Sequence, residues 1–151
     1  MNHLVKALLA SLVCLCLFAS VFLTGQESRS AKPGGASAVA RGKYLVTGVG
    51  VCTDCHTPHD EAGNPEPGRE LEGGPLWLLP AHTMANWPMQ IPRIAGSISA
   101  SDAELIKLLT TGIWKDGSHL RPPMPQFRMN QEDAAAVVAY LRSLNPKAPV
   151  Q

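Results

Sequence analysis

The folded part of this 151-residue chain lacks most of what would mark a common functional class. From Ala36 onward it has no cysteine except Cys52 and Cys55, so no wider disulfide framework can hold the domain. It has no basic excess. Ala36–Gln151 carries ten lysines and arginines against eleven acids, and the whole chain is +1, which leaves no footprint for a nucleic acid partner. No segment alternates apolar and polar residues as a half-buried strand would. No second cysteine pair follows the first, so a four-ligand zinc site has no ready-made ligand set. What is present is one domain's worth of helix-forming sequence around one dense chemical motif.

The N-terminus has a different character. Lys6 is the only charged side chain before Ala7–Leu23, seventeen residues without a charge. A basic start followed by an apolar run reads as an export signal or a retained anchor over residues 1–25. The run is long for a signal core and short for a span. The expected form is an N-terminal membrane anchor, with a cleaved signal peptide as the alternative. Either form takes the domain across the cytoplasmic membrane, so the expected location is periplasmic. Residues 26–37, QESRSAKPGGAS, read as a flexible tether. Residues 38–151 are left as the folded domain.

Within that domain, Ser37 is expected to cap a helix running to about Thr47, with Gly48 as its stop. Its inner face would carry Val39, Gly42, Lys43 and Val46. A glycine inside a helix costs about 1 kcal/mol against alanine, so Gly42 suggests a close crossing by another helix. From Thr57 to Ser97 the chain is rich in Pro and Gly and has no periodicity. Some forty residues of that kind are unusual in a compact domain, and a large buried ligand would account for them. Ser101 and Glu104 form a capping box ahead of Leu105, Ile106, Leu108 and Leu109, and Gly112 stops that helix. A last helix starts at an Asn130 cap and runs from Gln131 to about Leu144, with Val137, Tyr140, Leu141 and Leu144 as its stripe. Pro146 ends it. The outline is all-α: three main helices and long loops.

The dense motif is Cys52-Thr-Asp-Cys55-His56. Such a pattern arises by chance on the order of once in a thousand chains of this length. Three chemistries use it. A redox disulfide wants a thioredoxin-like βαβ setting, and the histidine has no role in it. A zinc site would need Cys52, Cys55, His59 and a fourth ligand from His82 or His119. A covalent haem uses every part: cysteines three apart can add to two vinyl groups of one porphyrin edge, and His56 then meets the iron. From Asp54 to Glu72 inclusive the segment holds six acids against the single base Arg69. It reads as a solvated loop or as a patch that steers a charged partner.

The strings GKYLV, CTDCHTP, ELEGGP, RPPMPQF and AAAVVAYLRSL complete the picture. On them, Ala40–Gln151 resembles a monohaem class I cytochrome c of the bacterial periplasmic type. The resemblance implies an all-α class I cytochrome c fold over 38–151, wrapped around one covalently bound haem c. It implies attachment at Cys52 and Cys55, with His56 and Met124 as axial iron ligands. Met129, His82 and His119 are the alternatives for the sixth position. It implies that the first and last helices cross, with Gly42 facing Tyr140 or Leu141, and that the Pro92 carbonyl accepts the N–H of His56. Arg93 departs from the family pattern and is expected near a haem propionate. Trp77, Trp87 and Trp114 would line the core or the haem, one indole reaching a propionate. His59 would be a solvated loop residue, and no role is assigned to Tyr44. The implied function is single-electron transfer between redox protein partners such as a dehydrogenase, an oxidase or a respiratory complex, without catalysis by the chain itself. The alternatives are a dedicated electron-accepting haem subunit of a dehydrogenase or oxidase, and a haem sensor with a labile sixth ligand.

Overall fold

A computed structural model describes residues 35–96 and 98–144. The apolar run, the tether up to residue 34 and Pro146 lie outside the described residues. The chain forms helix α1 (Ala36–Tyr44), which continues as a π-helical turn over Leu45–Val49. A single helical turn, α2, covers Cys52–His56. Strands β1 (Gly74–Pro75) and β2 (Gln90–Ile91) form a two-residue antiparallel pair. Helices α3 (Asp102–Thr111) and α4 (Gln131–Ser143) complete the order. Among the described residues no helix is long and apolar enough to cross a membrane.

Local signals set the later helices. The Ser101 hydroxyl accepts the Glu104 N–H, and the Glu104 carboxylate accepts the Ser101 N–H, which closes the capping box. Gly112 ends α3 in the left-handed region, φ 74°. The Asn130 side chain accepts the Asp133 N–H at 2.8 Å and starts α4. Helix α1 departs from expectation. Gly35, not Ser37, is its N-cap, and Ala38 and Val39 both donate to the Gly35 carbonyl. Ala36 and Ser37, expected in the tether, are therefore helical. Gly48 does not stop it, because the π turn carries the chain on until Gly50 donates to the Leu45 carbonyl at 2.7 Å.

The buried face of α1 and its extension is Ala38, Gly42, Leu45 and Val46. Lys43, placed inward by the expected phasing, is exposed, and so is Tyr44. Opposite lie Ala134, Ala136, Val137, Val138 and Leu141 of α4, and Leu105, Leu108 and Leu109 of α3. Val46 and Val137 are sealed from solvent, and burying such side chains stabilises the fold by about 1.5–3 kcal/mol each. The crossing of α1 and α4 has no slack at Gly42. A Cβ there would overlap the Ala136 carbonyl and lie 2.7 Å from Tyr140 Cβ. The expected partner Tyr140 is present, and Ala136 is the closer one. Arg41 pairs with Asp133 beside the crossing, at 3.0 Å. Leu71 and Ala95, from the long loop region, join the core where it meets α2.

Candidate functional site

The π turn and Gly50 deliver the chain to Val51, whose φ of 44° is rare for a β-branched residue. That bend starts α2 and puts Cys52, Cys55 and His56 on one helical turn. Both thiols are half-buried and free of disulfide. Burial pushes the Cys52 thiol up to about 11, and burial with the neighbouring Asp54 carboxylate raises Cys55. A redox dithiol needs the opposite shift, towards thiolate. Gly50 packs against this end of the site. A Cβ on it would lie 3.3 Å from the Cys52 sulfur and 3.8 Å from the Phe127 ring.

His56 is buried, at 5% exposure. Its Nδ1–H donates to the Pro92 carbonyl at 2.8 Å, as the resemblance implies. Burial lowers its pKa from the ordinary value of 6.5, and the Pro92 bond works the other way. Nδ1 is therefore committed to Pro92, and Nε2 makes no hydrogen bond among the described residues. That is the donor arrangement a metal-binding imidazole needs.

A short strap fixes the acceptor. The Leu71 carbonyl receives the N–H groups of Ile94 and Ala95 at 3.0 and 3.1 Å, and Gly73 donates to the His56 carbonyl at 2.7 Å. The pairing of Gly74 with Ile91 holds the two segments in register. Arg93 reaches the Glu72 carboxylate at 3.7 Å, a partner the sequence reading did not foresee.

Met124 lies on another part of the chain, half-buried in a turn closed by its own N–H to the Arg121 carbonyl at 3.1 Å. The Pro122–Pro123 bond inside that turn is cis. Phe127, three residues on, is the ring beside Gly50 and Cys52, so the methionine loop returns to the start of α2. A cavity of about 300 Å³ between Met84, Trp87, Arg121 and Pro122 separates this loop from residues 84–87. Met129 packs against the core, and His82 and His119 are exposed.

Several side chains differ from expectation. His59 is not a solvated loop residue: its ring sits 4.7 Å from that of Trp77, and its Nδ1 is buried without a hydrogen bond. The Trp87 indole donates to the Leu78 carbonyl at 3.0 Å, so it is committed within the protein. Trp77 is largely exposed, whereas Trp114 packs on the core. Asp54, His59, Glu66, Glu70 and Trp77 surround a hollow of about 580 Å³ beside α2. Among the described residues no group of three or more His, Cys, Asp or Glu side chains could hold a metal ion, so Cys52, Cys55 and His59 do not assemble a zinc site. The residues present fit a haem instead: two unpaired thiols on one turn and an adjacent buried imidazole with one nitrogen left over.

Known proteins point the same way. The cytochrome c family pattern matches residues 39–145. The chain is 28% identical over 146 residues to the cytochrome c subunit of a quinone alcohol dehydrogenase from Gluconacetobacter polyoxogenes, covering 91% of this chain and 31% of that protein. It is 31% identical over 116 residues to the fructose dehydrogenase cytochrome subunit of Gluconobacter japonicus, covering 72% and 22%. A dihaem cytochrome c-type protein of Cereibacter sphaeroides shares 31% over 108 residues, covering 68% and 34%. The chain thus spans between about a fifth and a third of the length of these curated relatives. It belongs to the cytochrome c family, which holds haem c covalently, and its part is to carry electrons, alone or as a subunit.

Proposed function

We propose that this chain is a single-electron carrier with one haem c, joined through thioethers to Cys52 and Cys55 and ligated by His56 and Met124. The haem supplies an iron that cycles between Fe(III) and Fe(II). The chain's residues do the rest. The two cysteines make loss of the cofactor a covalent matter. Pro92 orients His56 and raises its basicity. Met124 would offer the iron a soft thioether, which would favour Fe(II) and leave no open place for small ligands. Val46 and Leu71 belong to the buried core against which Cys52 and Phe127 pack. No group in this arrangement activates a substrate, so the reaction is electron transfer to a partner docked on the surface.

The observation that carries this reading is the geometry of α2: a buried imidazole, one nitrogen tied to Pro92, on the same turn as two unpaired thiols. The test is the visible spectrum of the holoprotein made in a host that attaches haem. Pigment should survive acidified organic solvent, and the weak far-red sulfur-to-iron band should vanish in Met124→Ala, whose ferrous form then binds carbon monoxide. Retention of the band in that variant would move the sixth ligand to Met129. Rapid carbon monoxide binding by the wild type would favour a sensor.

A second reading has its own support. Two of the relatives are cytochrome subunits of dehydrogenases by name. On this reading the chain accepts electrons within such an assembly, held at the periplasmic face by its N-terminal segment. Haem-stained native gels of solubilised membranes decide between the two. Co-migration with dehydrogenase activity supports the subunit; a lone monomer in the soluble fraction supports the free carrier.

A further inference from the structure

We infer that Gly73 is a positioning residue for His56 and tunes the iron's reduction potential through the Pro92 carbonyl. The inference rests on His56 being the iron ligand proposed above and adds a residue that is not itself a ligand.

Three residues form a closed ring of contacts. The His56 Nδ1–H donates to the Pro92 carbonyl at 2.8 Å. The Gly73 N–H donates to the His56 carbonyl at 2.7 Å. Gly73 then lies flat against the Pro92 peptide. A Cβ on it would be 2.5 Å from the Ile91 carbonyl oxygen and the Arg93 nitrogen, and 2.6 Å from the Pro92 carbonyl carbon. Real side chains do not approach backbone so closely, so any residue but glycine must push the Pro92 peptide away or give up the His56 carbonyl. The φ of 71° excludes a relaxed substitute as well.

Leu71 fastens the same strap two residues earlier. Its carbonyl takes two N–H groups from the segment after Pro92, and its own N–H reaches the Thr57 hydroxyl at 3.3 Å. Leu71 is itself left-handed, φ 64°, while 1% exposed, so the core holds the strap in an unfavourable backbone state. Donor side and acceptor side of the His56 bond are thus both set by residues 71–73. A carbonyl drawing on Nδ1–H makes the imidazole more electron-rich, which favours Fe(III). Displacing that carbonyl favours Fe(II).

The experiment is a spectroelectrochemical titration of Gly73→Ala holoprotein beside the wild type. Solvent exchange of the His56 Nδ1 proton in the ferrous form is followed by NMR. The midpoint should move to more positive potential, and the proton should exchange about tenfold faster or more. Gly42→Ala is the control, because it strains a backbone contact away from the strap; its midpoint should stay at the wild-type value. Equal shifts in both variants would show a general loss of stability and overturn the inference. So would an unchanged midpoint and exchange rate in Gly73→Ala. If that variant does not mature, Thr57→Val loosens the strap more gently: a smaller positive shift supports the inference and none overturns it. Failure of the ligand reading is seen separately, as a wild-type holoprotein whose NMR spectrum lacks haem-shifted His56 ring resonances, and proton exchange alone then decides the brace.

Discussion

The histidine side and the methionine side of the site are built by different means. Around His56, segments distant in sequence are tied together by backbone: Gly73 to His56, Ile94 and Ala95 to Leu71, Gly96 to the Leu141 carbonyl of α4 at 2.8 Å. Thr57, Leu71, Gly73 and Ala95 are all buried there. Around Met124 the bonds are local. The turn is closed from Arg121, and Arg128 caps the neighbouring Gln126 and Phe127 carbonyls. Only the ends of that loop reach elsewhere, Leu120 to the Gly112 carbonyl and Met129 to the Leu109 carbonyl. Arg121, Pro122, Pro125, Gln126 and Arg128 are exposed. Among the described residues the two non-glycine residues in the left-handed region, Val51 and Leu71, are both on the histidine side. Strain of about 1–3 kcal/mol each persists only where surroundings over-determine the backbone. His56 is therefore part of the core, and Met124, the proposed second ligand, is presented by a loop anchored to it.

That contrast can be broken from beneath or measured directly. The largest effect should come from the helix crossing on which both sides rest. Gly42→Ala gains helix propensity but must part α1 from α4, and overpacking of this kind costs about 1–3 kcal/mol. We expect a urea midpoint lowered by the equivalent of about 2 kcal/mol through global unfolding, while the folded protein keeps the wild-type redox midpoint. An unchanged midpoint would mean the crossing is looser than its geometry. A smaller and sharper test is native-state hydrogen exchange. The amides of Gly73, Ile94 and Ala95 should exchange at least about tenfold more slowly than those of Leu120 and Met124, because they open only with the core. Equal protection would erase the distinction drawn here.

Legibility in the sequence follows the same line. Ser101, Glu104, Gly112 and Asn130 act within four residues of themselves, and each did what its residue type suggests. The Cys52–His56 turn was legible as a candidate site because five adjacent residues carry its chemistry. What escaped is non-local. The β1–β2 pair is two residues long and offers no alternation to read. The stacking of His59 on Trp77 joins residues 18 apart. The Glu72 partner of Arg93 and the Leu78 partner of Trp87 depend on where loops fold back. The early start of α1 escaped because Gly35 caps it with backbone alone, leaving Ser37 exposed inside the helix. Its inner face then falls on Ala38 and Leu45 instead of Val39 and Lys43.

The Gly42 crossing also has an architectural consequence. It lies six residues after the start of α1, and its partner Tyr140 lies three before the end of α4. The two ends of the described domain therefore lie within a few helical turns of one another. That makes the crossing a clasp: loosening either terminal helix loosens its mate.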